Sequence, residues 1–260
     1  MPAVTFDLWY TLLYLTPGEG ESYYRSQLEA AVATLEESEM VPDGPTLAHD
    51  PMASVFAQVL ESAVASAHKG LSVTPAQQIL SAGVAVGRRP RPERYLQRLG
   101  DLVASQPFRL APGCREMLRG LREDGYRIGI VSNTVGETGA MLRPHLRSLG
   151  IGEYFDAMVF SDEHPWSKPA PDPYWWTVEK LGERPEMTVH VGDSSSDVDG
   201  GRRAGLRGTI LFTGLHSEYG SSYRGLHASP TAGSAVADRV VEHLDEVRPL
   251  IHNLLPVRPG

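Results

Sequence analysis

Asp7, Ser132, Asn133, Lys168, Asp193 and Asp197 are the residues of this 260-residue chain whose types and positions could do chemistry. They lie in four short segments: Asp7-Leu8-Trp9-Tyr10-Thr11, Ser132-Asn133-Thr134, Lys168-Pro169 and Gly192-Asp193-Ser194-Ser195-Ser196-Asp197. Carboxylates can attack an electrophile or hold a hard cation through oxygen, hydroxyls can hold the oxygens of an anion, and an ammonium offsets gathered negative charge. Taken singly, each segment has an ordinary reading. An Asp that ends a strand is often a turn or helix-cap residue, Ser-Asn starts many loops, and Lys-Pro alone says almost nothing. The lysine has extra weight here. Of 24 basic residues only Lys69, Lys168 and Lys180 are lysines, so one inside a motif is not routine surface decoration.

The elements that must position these groups can be read from the pattern of apolar residues. Residues 3–6, Ala-Val-Thr-Phe, form a short run of strand formers that delivers Asp7 at its end. From 17 to 109 the stretches 22–37 and 52–67 place apolar residues three and four apart, and no strong strand pattern interrupts them. This predicts a helical insertion of about ninety residues, long for a loop and suited to a small domain, with Pro90, Pro92 and Pro107 marking its return. Beyond 110, helices at 112–124, 137–149, 173–181 and 199–204 alternate with strands at 127–131, 157–160, 188–191 and 209–212. A Gly-, Ser- and Tyr-rich loop, 213–232, reads as lid-like, and a last helix is expected at about 234–248. Alternation of this kind implies a doubly wound parallel sheet with helices on both faces, whose ligands bind outside the carboxyl ends of the strands. Asp7, Ser132, Asn133 and Asp193 should then share one rim.

With these four segments in this order, the chain resembles the haloacid dehalogenase (HAD) superfamily, in the branch whose helical cap is inserted after the first strand (C1, subfamily I). The resemblance covers residues 1–14 and 110 to about 212. It implies an α/β, Rossmann-like core formed by 1–14 and 110–260, with a helical cap over 15–109. It also implies Asp7 as nucleophile, Thr11 and Ser132 as phosphoryl-binding hydroxyls beside Asn133, Lys168 as the cation that offsets the acids, and Mg2+ as cofactor. The metal would be held by Asp7, Asp193 and the backbone carbonyl of Trp9, with Asp197 behind Asp193 or acting through water. These roles suit phosphoryl transfer, which needs an in-line oxygen nucleophile and neutralised equatorial oxygens. The expected activity is Mg2+-dependent hydrolysis of a small phosphorylated metabolite through an aspartyl-phosphate.

One position departs from the family pattern. Trp9 stands where family phosphatases carry a second Asp that protonates the leaving oxygen, and an indole N–H cannot do this near neutral pH. A phosphomutase is thereby disfavoured. A metal-independent haloacid dehalogenase stays open, as does a HAD-fold binding protein without turnover, although the acid pair Asp193 and Asp197 favours phosphate chemistry. The segment Asp162-Glu163-His164, or an acid of the cap, is the expected substitute for the missing proton donor. The Arg88, Arg89, Arg91 and Arg94 cluster reads as a solvated face.

Composition narrows the partners. A formal charge of -8, with no basic runs, is a poor match to a phosphate backbone and argues against nucleic acid. Cys114 is the single cysteine and can form no internal disulfide. With no basic start before Asp7 and no run of 18 apolar residues, neither a signal peptide nor a membrane span is expected, and the reading is a cytoplasmic protein.

Overall fold

The computed structural model describes residues 1–42, 48–215 and 236–256. The chain opens with β1 (Ala3–Phe6) and the short β2 (Leu13–Tyr14). Next come α1 (Pro17–Glu36), β3 (Glu39–Met40), α2 (His49–Ala67), α3 (Pro75–Ala85), β4 (Arg88–Arg89) and α4 (Pro92–Ser105). The alternating half runs β5 (Arg109–Leu110), α5 (Cys114–Glu123), β6 (Arg127–Ser132), α6 (Gly139–Ser148), β7 (Ala157–Phe160), α7 (Asp172–Lys180), β8 (Thr188–Gly192), α8 (Ser195–Arg203), β9 (Gly208–Phe212), β10 (Arg239–Val241) and α9 (Val247–Leu254).

Six strands form one parallel sheet in the order β10-β9-β8-β1-β6-β7. With β1 central, every one of its residues is buried, which is why it reads as an unbroken apolar run and not as an alternation. In β6, Gly129 lets α7 lie close to the sheet, since a Cβ there would stand 2.7 Å from the Thr177 methyl. The helices α1 and α3 start where Thr precedes Pro. Thr74 accepts from Gln77 N at 3.2 Å while Gln77 accepts from Thr74 N at 2.8 Å, so orphan donors at the helix start are satisfied.

The apolar side chains fall into two main clusters. One, around Phe6, Leu8, Ile128, Ile130 and Val191, lies under the sheet. The other, including Val32, Leu35, Phe56, Ile79 and Leu99, is shared by α1 to α4. The paired strands β2 and β5 bracket that helical stretch, and β3 pairs with β4 inside it. These two-residue pairs are too short to leave a periodic signal, and the sequence reading missed them.

The main correction falls near the C-terminus. Where a helix was expected at 234–248, Arg239-Val240-Val241 extends the sheet along β9, and the helix begins only at Val247. Two β-branched residues favour the strand, and Asp238 pins its start by accepting from Thr209 N at 2.8 Å. Residues 216–232 of the lid-like loop lie outside the described residues. No described helix is long and apolar enough to cross a membrane.

Candidate active site

Asp7 leaves β1 at its carboxyl end and stays tied to the sheet, its N–H donating to Val191 O at 2.9 Å. The chain then folds back on itself, with Leu12 N and Leu13 N both donating to Leu8 O at 2.9 Å. Tyr10, at φ 55°, takes the left-handed conformation inside this turn, which is uncommon for a residue with a side chain. Asp193 leaves the neighbouring β8, and Asp197 stands in the first turn of α8. Among the described residues, carboxylate oxygens of Asp7, Asp193 and Asp197 gather within 4.8 Å of one another, and all three residues are buried.

Lys168 closes this cluster. Its ammonium donates to Asp7 Oδ1 and, at 2.7 Å, to Asp197 Oδ1. Burial alone would lower the lysine's pKa, but Asp197 and Asp7 outweigh it and raise it. Burial also acts on Asp197, where Lys168 and His190 overcome it and hold the carboxyl well below the usual carboxylate range. Asp7 goes the other way. Burial raises its carboxyl well above the ordinary value, with Asp197 and Asp193 adding to the rise and Lys168 opposing it.

The Asp197 carboxylate is committed to protein donors. Oδ1 accepts from Lys168 Nζ and, at 3.0 Å, from His190 Nε2; Oδ2 accepts from Ser194 N at 3.0 Å and Ser194 Oγ at 2.6 Å. Burial lowers the His190 pKa, so the ring is neutral, with Nε2–H donating and Nδ1 accepting from Thr5 Oγ1 at 2.9 Å. Gly192 makes this arrangement possible, because a Cβ there would meet Asp197 Cγ at 2.2 Å. Asp7 and Asp193 are therefore better placed than Asp197 to offer oxygen to a cation. Carboxylate oxygens in a buried cleft are the donor set that Mg2+ prefers, so the residues present fit that ion.

The other expected site residues separate by what they touch. Ser132 Oγ and Thr11 Oγ1 are buried with no hydrogen-bond partner, and neither residue lines the pocket that holds Asp7. The Asn133 amide is spent on backbone, with Oδ1 accepting from Lys168 N at 2.8 Å and Nδ2 donating to Lys168 O at 3.0 Å. Its side chain orients the lysine. Asn133, Lys168, Asp7, Trp9 and Asp193 line one pocket together with residues of α1 and α2.

The segment expected to supply the missing proton is turned elsewhere. Asp162 accepts from Thr134 Oγ1 and Gly139 N, both at 2.9 Å, and so ties the loop after β6 to the start of α6. Glu163 pairs with Arg143, and His164 lies against the Trp176 ring at 4.1 Å. None of the three lines the pocket.

The acid that does line it is Glu137, which the sequence reading passed over as part of an expected helix. The helix starts only at Gly139, leaving Glu137 in the loop, buried and facing the cleft. Burial pushes its carboxyl up to about 7, against the pull of the Trp9 indole N–H and the Tyr23 hydroxyl. Because the folded value exceeds the unfolded one, the stability it confers is full below about pH 4 and is lost as pH rises through about 7. Charging it at pH 8 costs roughly 3 kcal/mol. In metal-free buffer, Glu137→Gln should therefore melt several degrees above the parent at pH 8, the gap closing by pH 5. Calorimetric Tm values across that range test this, and a gap that does not change with pH refutes it.

Comparison with known proteins agrees with this geometry. A model of the haloacid dehalogenase-like hydrolases matches residues 52–210. The chain belongs to this family. A phosphoglycolate phosphatase of Aquifex aeolicus is 35% identical over 122 residues, 47% of this chain and 54% of that protein. Another, from Cereibacter sphaeroides, is 33% identical over 185 residues, 69% of this chain and 76% of that protein. The chain spans about half the length of the first curated relatives it matches. Among solved structures, a 2-haloacid dehalogenase from Pseudomonas syringae pv. Tomato aligns with a TM-score of 0.64 at 17% identity, covering 97% of this chain and 99% of the other. The HAD fold thus spans both reactions, and the choice between them falls to the site.

Proposed function

We propose that this HAD hydrolase is a Mg2+-dependent phosphatase of small phosphate monoesters that works through an aspartyl-phosphate on Asp7. The observation that carries the reading is the buried cluster of Asp7, Asp193 and Asp197 closed by Lys168, with Asp7, Asp193 and Lys168 at the wall of one pocket. Bound Mg2+, held by Asp7, Asp193 and the Trp9 carbonyl, would neutralise phosphoryl charge and oppose protonation of Asp7. Asp7 attacks phosphorus with one carboxylate oxygen as the ester P–O bond breaks and the leaving oxygen takes a proton from water, while Lys168 steadies the other oxygen; a water then attacks phosphorus, releasing phosphate and restoring the Asp7 carboxylate. Ser132, Thr11 and backbone N–H groups receive the equatorial oxygens, and Asn133 keeps the lysine in place. Asp197 acts behind the ligands, fixing Lys168 and the start of α8. Residues 15–109 serve as the cap, and residues 1–14 with 110–260 as the catalytic core.

A dehalogenase needs no such metal acids, and a chain that only binds has no use for a carboxylate whose charge the fold opposes. The test is phosphate release from p-nitrophenyl phosphate and a panel of phosphorylated metabolites, with and without EDTA. Release that requires Mg2+ is expected. Halide release from a 2-haloacid, unaffected by EDTA, would overturn the reading, as would tight ester binding with no release.

A further inference from the structure

The pocket that holds Asp7 also contains the space a leaving group must fill, and its charges are unusual for a site facing anions. Among the described residues that line it, the acids are Asp7, Asp193 and Glu137, and the one lysine is Lys168. That lysine already serves Asp7 and Asp197. Among the described lining residues, the other group able to carry positive charge is His68. Much of the remaining wall is apolar or aromatic, including Trp9, Tyr23, Leu60 and Val64. The phosphoryl group therefore has a cation and the fitted metal site for partners, whereas a second anion on the same substrate would meet Glu137.

Glu137 is held in place from the helical side. Gln27 on α1 donates to Gly136 O at 3.0 Å, and Gln78 on α3 donates to Val135 O at 2.7 Å. Both glutamines are buried. Gly136 gives Gln27 its room, since a Cβ there would come within 2.2 Å of the Gln27 amide nitrogen. With its loop clamped at two successive carbonyls, Glu137 cannot easily swing away from an incoming group. A carboxyl group offers several acceptor positions, so Glu137 can receive a donor from a ligand even with the Trp9 indole and the Tyr23 hydroxyl nearby.

Resting on the phosphatase reading above, we propose that the site selects phosphate monoesters whose leaving group is an uncharged alcohol carrying a further hydroxyl for Glu137, and discriminates against leaving groups that bear a second anion. Burying a second anion beside a carboxyl group, where the described lining residues offer no lysine or arginine beyond the engaged Lys168, is costly, while a hydroxyl that meets a waiting acceptor replaces its bonds to water. Phosphoglycolate, the compound named for several relatives, then belongs to the disfavoured class.

A matched pair tests this: phosphoglycolate and 2-hydroxyethyl phosphate, which differ only in carboxylate against CH2OH. Binding of each to the full chain carrying Asp7→Asn, in Mg2+, is measured by calorimetry, so the result does not depend on turnover. Inhibition of p-nitrophenyl phosphate hydrolysis by the same pair in the unaltered enzyme provides a second readout that needs no variant. The hydroxyethyl ester should bind at least about tenfold more tightly. Adding Glu137→Gln, which supplies an amide donor in place of the carboxylate, should bring the two within about threefold. Equal or tighter binding of phosphoglycolate would overturn the proposal, as would a ratio indifferent to Glu137→Gln. Absence of binding by both esters, with inorganic phosphate still bound, would overturn it too. The expected binding order with no hydrolysis of any ester would instead count against the phosphatase reading and leave this selectivity standing.

Discussion

Asp7→Asn is expected to lower phosphatase turnover by about four orders of magnitude or more while the protein stays folded. An amide oxygen is a far poorer nucleophile than a carboxylate, and the covalent route loses its first bond. The cost to stability runs the other way. The fold raises the Asp7 carboxyl well above its ordinary value even with Lys168 in contact, so in the metal-free protein the charge is held against the preference of its surroundings. Removing it relieves repulsion from Asp193 and Asp197, and the variant should melt no lower than the parent near pH 8 in EDTA. In Mg2+ the order reverses, because a ligand that binds only the folded parent raises its Tm by mass action. Activity and melting curves with and without Mg2+ read both effects. Turnover above about one per cent of the parent would remove Asp7 from the role of nucleophile.

Lys168→Met is expected to be the most damaging single change to stability at the site. Lys168 is 2% exposed and its ammonium bridges two buried carboxylates, and removing one member of such an arrangement costs about 3–5 kcal/mol. The loss should depend on pH with a definite sign. In the parent, Lys168 keeps Asp197 ionised, so that contribution is present above the unfolded value and fades only as pH falls through the lowered one. In the variant both acids shift upward, and stability declines as pH rises from about 5 to 8. Mg2+ should then raise the Tm of the variant more than that of the parent, since it supplies positive charge that the lysine no longer gives. Turnover should fall at least about a hundredfold. A pH-independent loss would mean that the methionine disturbs packing and not charge balance.

How much of this was legible in the sequence differed by kind of signal. Asp7, Ser132 and Asp193 were readable because strands buried on both faces leave apolar runs that stop abruptly at a polar residue. Lys168 stood out through the rarity of lysine. The commitment of Asn133 to the Lys168 backbone was not readable, since 35 residues separate the partners and nothing local marks the pair. Glu137 was hidden for a related reason. A polar residue near a helix start looks like any solvent-facing acid, and only packing of α1 and α3 against the preceding residues shows that it is buried. For Asp162 the error was one of proximity, since closeness in sequence to Lys168 did not carry it into the pocket. The strand at β10 was missed because three residues followed by a helix are easily absorbed into that helix.

The hydrogen bond from Asp7 N–H to Val191 O has a consequence for how such a site can change. It continues the β1–β8 pairing one step past the strand, so the offset between Asp7 and the residues leading to Asp193 is written in backbone. Side chains beneath the sheet can be exchanged for others of similar volume, and that offset is inherited unaltered. The pocket wall formed by α1, α2 and the loop at 135–137 has no part in that pairing. On the proposed phosphatase reading, reaction and selectivity are carried by separable pieces of chain, and substitutions at Tyr23, Leu60 or Glu137 are expected to change which esters are accepted without altering the backbone offset between Asp7 and Asp193.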